Sequence, residues 1–314
     1  MHSDVLALAG AAFGGFVGAT FGALIAFVLC GLGVVTGVVV LIATGDPGFL
    51  DTVGFGAMFG PQVSFAGGVA AAAYAGRHGW LADGRDIVTP LATLRRPGVL
   101  LVGAAFGVAG SLVQDGVTAI PGFGTWTNPA ALSVVVTAVA ARLMFGRTGL
   151  IGRHRGGATG WARFAPNAEH VWLACQQTPR MAGTLGLFVG GFSAWASVAL
   201  LAAHPQASDV IYLGFGISAL SLICLAFGVE VPATHHITIV SATAVGAFAA
   251  IWSPAGPTAW ALVLVGAVAG AITGFAGEGF SRLWLIRGDS HIDPPASSIW
   301  PMTLVVSLVA AVAG

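Results

Sequence analysis

Residues 227–246 read Phe-Gly-Val-Glu-Val-Pro-Ala-Thr-His-His-Ile-Thr-Ile-Val-Ser-Ala-Thr-Ala-Val-Gly, and the class of the protein turns on them. The stretch is apolar enough to lie in a membrane. It nevertheless carries Glu230, Pro232, Thr234, His235, His236, Thr238, Ser241 and Thr243. Lipid tails cannot hydrogen-bond such groups, so they must face protein or a water-filled cavity. Ionisable side chains at membrane depth point by default to a functional site. The competing reading leaves Glu230 at the headgroup level and lets the histidines bond neighbouring helices.

Composition agrees with a membrane environment. Of 314 residues, 56% are hydrophobic and only 8% charged, against about 25% charged in soluble domains. So few charges cannot cover a water-facing surface, which makes this an integral membrane protein, all-α because several apolar stretches reach the roughly 20 residues a helix needs to cross a bilayer. The 47 glycines suit close helix packing in lipid. Net charge is zero, with every basic residue an Arg, so nothing suggests nucleic-acid binding. Cys30, Cys175 and Cys224 are far apart and in no metal-ligand spacing, so no disulfide framework is expected. The start Met1-His2-Ser3-Asp4 lacks a positive n-region and precedes a long apolar run, which reads as a first span, not a cleaved signal.

Residues 5–44 are too long for one span and are expected to divide near Cys30-Gly31-Leu32-Gly33 into two helices. Gly10, Gly14, Gly18 and Gly22 recur every four residues, giving one helix face free of side chains that should pack on a helix of this chain or of a neighbouring subunit. Pro61 should open or break a helix. A third helix is expected from about Val99 to Asp115-Gly116. Asn128-Pro129 should start another, as an N-cap followed by Pro. Residues 147–180, with Arg147, Arg153, Arg155, Arg163 and Arg180, form the longest polar stretch. It divides a first membrane repeat (1–146) from a second (181–314), where apolar runs cover about 182–203, 210–228, 233–252, 258–281 and 297–314.

The halves resemble each other. Leu101–Gly116 aligns without gaps on Leu264–Gly279, matching Gly103 with Gly266, Gly107 with Gly270 and Asp115-Gly116 with Glu278-Gly279. Asn128-Pro129 matches Asp293-Pro294, and Pro61 falls opposite Pro232. The expected architecture is about ten transmembrane helices in two five-helix repeats with Pro-interrupted helices. An odd number of spans per repeat inverts the second copy. The arginines of 77–96, 142–180 and 282–287 then share one side, which the positive-inside rule makes cytoplasmic in a cell membrane. Inverted repeats belong to secondary transporters and some channels, with sites near the midplane where broken helices meet.

The segment Phe59-Gly-Pro-Gln-Val-Ser-Phe-Ala-Gly-Gly-Val-Ala-Ala-Ala-Ala-Tyr-Ala resembles the signature of an uncharacterised multipass membrane family of archaea and actinobacteria, and Arg142-Leu-Met-Phe-Gly-Arg fits it as well. The resemblance spans most of the chain. It implies membrane class and carries over no activity, substrate or catalytic residue.

The candidate site follows from the repeat. Pro-led helix starts at Pro61 and Pro232 leave free N–H groups at a positive helix end, which attract anions or polar groups. Gln62, Ser64, Glu230, Thr234, His235 and His236 would line their meeting point, with Asn128 and Asp293 as further helix starts. The adjacent histidines point about 100° apart on a helix, so they cannot readily share one metal, and a proton relay or substrate contact suits them better. Asp115 and Glu278, acids near helix ends and unfavourable with the dipole, read as gating or ion-attracting groups or as solvated headgroup-level acids. The function expected is a transporter or channel for a small polar or ionic solute, proton-linked through the His pair, with no cofactor and no metal. Two other classes compete: an intramembrane metalloenzyme using Glu230, His235 and His236, weakened by the absence of an HExxH motif, and a non-catalytic scaffold. The lipid bilayer is one partner, and a second copy docked through glycine-rich faces another.

Overall fold

A computed structural model describes residues 5–154 and 156–314. The expected first-span start at Met1–Asp4 and Arg155 of the polar stretch lie outside the described residues. Regular structure among the described residues is helical, apart from an isolated bridge between Asn167 and His170.

The first half contains α1 (Val5–Phe21), α2 (Ala23–Thr44), α3 (Ser64–Arg77), α4 (Pro97–Thr118), the short α5 (Phe123–Trp126) and α6 (Pro129–Phe145). The second contains α7 (Pro179–Ala203), α8 (Leu213–Ser221), the single turn α9 (Ile223–Ala226), α10 (His235–Phe248), α11 (Ala259–Phe280) and α12 (Pro294–Ala313). Three starts combine a side-chain cap with a following proline. Asn128 accepts from Ala131 N at 2.9 Å, Thr178 from Met181 N at 3.2 Å and Asp293 from Ala296 N at 2.7 Å, each satisfying one orphan N–H of a first turn.

The expected break near Cys30–Gly33 is not where the chain breaks. Gly22, at φ +88°, ends α1, and a Cβ there would meet Val88 O at 2.8 Å. A left-handed residue under a neighbouring carbonyl leaves room only for glycine. Val88 is distant in the chain, so the apolar run by itself does not show that constraint. Cys30 stays inside α2, with its thiol on Gly54 O at 3.3 Å.

Among the described residues, six helical stretches are long and apolar enough to cross a membrane: Ala23–Thr44, Pro97–Thr118, Pro179–Ala203, Ser208–Ala226, Ala259–Leu285 and Pro294–Ala313. α1 and α6 are shorter, at 17 residues each. α3 and α10 have 14 residues each, about 21 Å at 1.5 Å per residue, well under the ~30 Å hydrocarbon thickness. Residues 64–73 and 235–242 are all buried, so these two short helices sit within the bundle.

Each short helix is held in the same way. α1 and α4 pack together and on α3, and α7 and α11 pack together and on α10. A Cβ at Gly15 would lie 2.8 Å from Gly107 Cα, and one at Gly190 would lie 2.9 Å from Gly270 Cα. Helix backbones therefore touch at both crossings, the close approach that small residues permit in lipid. The glycine row of α1 faces its own chain. Gly10 meets Ala57, Gly14 meets Ala57 O and Val63, and Gly18 meets Ser64 O. A subunit interface would have to use another face.

The halves meet through matched elements. A Cβ at Gly31 of α2 would meet Gly216 O, Ala219 and Leu220 of α8, and one at Gly216 would meet Gly31 O, Val34 and Val35. The contact is reciprocal and antiparallel. α6 and α12 also run antiparallel, with Thr127 donating to Trp300 O at 2.7 Å at one end and Arg142 bonding Ser290 at the other.

The three arginine-bearing segments gather at one end of the bundle. Arg147 bonds Arg77 O at 2.9 Å, Arg85 reaches Ile286 O at 3.3 Å, and Arg287 donates to Arg163 O at 2.9 Å and Ile151 O at 3.1 Å. Arg142, 1% exposed, is their central tie, donating to Leu150 O, Trp284 O and Ser290.

Candidate functional site

A cavity of about 100 Å³ lies at the centre of the bundle, where α6, α10 and α12 begin. It exceeds the volume one water needs several-fold. The sequence logic is local: a capping Asn or Asp followed by Pro can start a helix inside the bundle without leaving its first N–H groups all unpaired.

The cavity is lined in matched pairs. Asn128 and Asp293, Ala131 and Ala296, and Val134 and Ile299 occupy equivalent places on α6 and α12, and all six line it. A third element contributes through a different register from that expected. Alignment set Pro61 opposite Pro232. In the packing, Gly18 of α1 abuts Ser64 O, while Ser193 of α7 donates to Thr238 O at 3.0 Å. Ser64 therefore corresponds to Thr238, and Pro61 to His235. Both Pro61 and His235 line the cavity, as do Phe65 and Ile239 one residue after Ser64 and Thr238. The prolines misled the alignment because α10 begins one turn earlier than α3 relative to its packing partners. Ala233 reaches the cavity, whereas Pro232 lies just outside its lining.

The walls are mostly aromatic and aliphatic, with Phe27, Phe55, Phe65, Phe215 and Trp172 contributing rings. The polar groups are few. His235 is buried, its ring 4.6 Å from that of Phe27, and its Nδ1 has no hydrogen-bond partner. His291 Nε2 lies 3.2 Å from Asp293 Oδ1, while Asp293 Oδ2 accepts from Ala296 N. The cavity thus joins a carboxylate–imidazole pair, an unpartnered imidazole and the amide of Asn128. A buried polar atom without a partner is costly, and the Nδ1 of His235 is one such atom beside the cavity.

His236 points elsewhere, as the helical angle between neighbours requires. It lines a separate void of about 10 Å³ with Gln176 and Glu278, close to the space of one water. His236 Nδ1 and Glu278 Oε2 have no partner there, while Glu278 Oε1 accepts from Arg282 at 2.9 Å. Glu278 is buried and its sequence match Asp115 is exposed, so the two acids do not play equivalent parts.

The other candidates are dispersed. Gln62 donates to Phe55 O at 2.8 Å and leaves Oε1 unpaired. Ser64 bonds Phe59 O at 3.0 Å, and Thr234 shares a 2.6 Å hydrogen bond with Ser218. These three stabilise the irregular lead-ins of α3 and α10 and do not line the cavity. Glu230 is exposed and accepts from Cys175 N at 2.7 Å. It lines neither void that holds the histidines, and the metal set of Glu230, His235 and His236 is not assembled. Among the described residues no group of three His, Cys, Asp or Glu is placed to hold a metal ion.

Sequence reasoning missed the linker's part. Trp172 and Leu173 cover the cavity, anchored by Gln176 Oε1, which accepts from Ala233 N at 2.9 Å. Burial, and secondarily the charge of Glu230, pushes the Cys175 thiol pKa up in this segment. His291 was also missed. It stands two residues before a recognisable N-cap, but nothing in the sequence marks it as facing His235 across a cavity.

No curated protein and no solved structure matches the chain. One family of unknown function, DUF7973, matches it twice, over residues 1–170 and again over 162–314, a double match that parallels the paired packing described above. With that match running from end to end, the chain belongs to the family of unknown function DUF7973.

Proposed function

We propose that the protein is a membrane transporter or channel for a small polar or ionic solute, built from two inverted repeats, with its central site at the cavity holding His235, His291, Asp293 and Asn128. The observation that carries the reading is the pairing of matched residues around one central cavity containing a carboxylate–imidazole contact and an unpartnered imidazole. Equivalent helices α2 and α8 cross antiparallel with reciprocal contacts at Gly31 and Gly216. A twofold axis between antiparallel helices runs perpendicular to them and so along the membrane plane, the symmetry of alternating-access transporters. The arginine-rich end is the cytoplasmic one by the positive-inside rule, in a plasma membrane. The Asp293–His291 contact and the unpartnered Nδ1 of His235 supply groups able to hold and pass a proton, which suits proton-linked movement.

The test is solvent access from the two sides. In a cysteine-free background, His235→Cys or Asn128→Cys in proteoliposomes should react with a membrane-impermeant thiosulfonate added to at least one side. Osmotic swelling with a panel of small solutes should show a flux lost in Asp293→Asn. Cysteines silent from both sides, with swelling equal to empty liposomes for every solute, would favour a scaffold and overturn the transport reading.

A further inference from the structure

A second feature lies on the outside of the bundle, at the arginine-rich end of α11. There Arg163, Arg282, Trp161, Phe164 and Leu283 line an open groove of about 540 Å³ floored by Gly160 and Gly279. A Cβ at Gly279 would touch nothing, so the floor is open. Two guanidiniums line it: Arg163, stacked on Phe164 at 4.8 Å, and Arg282. Arg287 also stacks on Phe164, at 4.2 Å, but it is buried and donates to four backbone carbonyls. Glu278 neutralises Arg282 at 2.9 Å, but among the described residues no carboxylate lies within ion-pair distance of Arg163 or Arg287. The groove therefore keeps excess positive charge. Trp161, 90% exposed, sits beside it, the amphipathic ring expected at headgroup level.

A second, apolar surface channel lies on the same face of α11, nearer its start. Leu264, Val268, Ile272 and Phe275 form a half-exposed stripe on α11 that leads to Gly279. Leu264, Val268 and Ile272 also line a surface channel of about 450 Å³ against Val305 and Val309 of α12. From Gly279 to Leu264 is ~22 Å at 1.5 Å per residue, on the order of an extended acyl chain. A free anion would use the basic groove alone. The adjoining channel, almost bare of polar atoms, fits a lipid tail.

We propose that this surface binds one anionic phospholipid, its phosphate held by Arg163 and Arg282 beside Trp161 and an acyl chain laid in the channel between α11 and α12. Charge complementarity selects a net-negative headgroup, since basic pockets at span ends attract such lipids.

The test uses the full chain, stripped of lipid in detergent and titrated with phosphatidylglycerol or phosphatidylcholine while bound lipid is counted by native mass spectrometry. Wild type should retain one phosphatidylglycerol per chain and prefer it over phosphatidylcholine. Arg163→Gln should weaken that lipid about fivefold, roughly the effect of one Arg beside an anionic headgroup. Val268→Trp, which fills the channel without touching the arginines, should weaken both lipids and leave inorganic phosphate binding unchanged. Equal retention of the two lipids, or wild-type affinity in both variants, overturns the proposal. Binding of inorganic phosphate that Val268→Trp leaves intact, with no lipid retained by wild type, identifies a free-anion site and overturns it too.

Discussion

Replacing Arg142 by Met should be among the most damaging single changes in this protein. The side chain is 1% exposed. Its guanidinium donates to Leu150 O at 2.9 Å, Trp284 O at 3.0 Å, Ser290 Oγ at 2.6 Å and Ser290 O. Asp289 lies 3.9 Å away, and Gly288 is pressed so closely under the guanidinium that any larger residue would collide. Methionine fills much of the volume but offers no donor, so three carbonyls and a hydroxyl lose their partner. A buried acceptor left unpaired costs ~1–3 kcal/mol. These groups share one site and relax together, so the losses do not add fully, and about 2–4 kcal/mol in total is expected. That is a large part of a typical stability of ~5–15 kcal/mol. Denaturant titration in mixed micelles, followed by tryptophan fluorescence, measures it. Arg142→Lys keeps the charge but not the planar fork and should recover less than half. Because the lost bonds tie residue 150 and the 284–290 turn to α6, the Met variant should also be cut faster by protease within residues 147–178. A Met variant within about 1 kcal/mol of wild type, on the scale of an ordinary substitution, would refute the account of Arg142 as the tie.

Three other outcomes follow from the geometry. Gly107→Val places side-chain atoms against Gly15 Cα, 2.8 Å from the new Cβ; it should separate α1 from α4 and lower the yield of folded protein in size-exclusion chromatography far more than Gly116→Val, where a Cβ meets nothing. Gln176→Ala leaves Ala233 N without its 2.9 Å acceptor at a cost of about 1–2 kcal/mol; it should loosen the Trp172–Leu173 cover and raise the labelling rate of a cysteine at position 235. In a Cys224→Ser background, alkylation of Cys175 should rise at higher pH than that of a free thiol, because burial and then the Glu230 charge disfavour the thiolate. Glu230→Gln should move that profile to lower pH. The sign for stability is the same: the unfolded chain loses this proton first, so stability falls as pH rises through the ordinary thiol range, and an unshifted profile in Glu230→Gln would count against the contact.

Much of the architecture was legible in the residues alone. A charge content of 8% decides that the chain lives in lipid, because charge density is a property of composition and needs no fold. The caps Asn128 and Asp293 could be placed from their Pro successors, because a helix start is a local event. The Gly107 and Gly270 crossings were visible as a repeat, because a backbone contact demands the one residue without a side chain. The arginine segments were expected together on one side, and they touch. Other features depend on partners distant in the chain. Gly22, not the Cys30–Gly33 stretch, separates α1 from α2, since the deciding neighbour is Val88 O. Glu230 looked like a companion of the histidines because it is near in sequence, yet it turns outward to Cys175 N. His291, by contrast, gave no signal and faces the same cavity as His235. The residue types set the solvent, the helix starts and the close crossings, each fixed by short-range chemistry. Which polar groups share the central space was decided only by the tertiary structure, because a cavity is bounded by helices from both halves and one turn of register changes which side chains enter it.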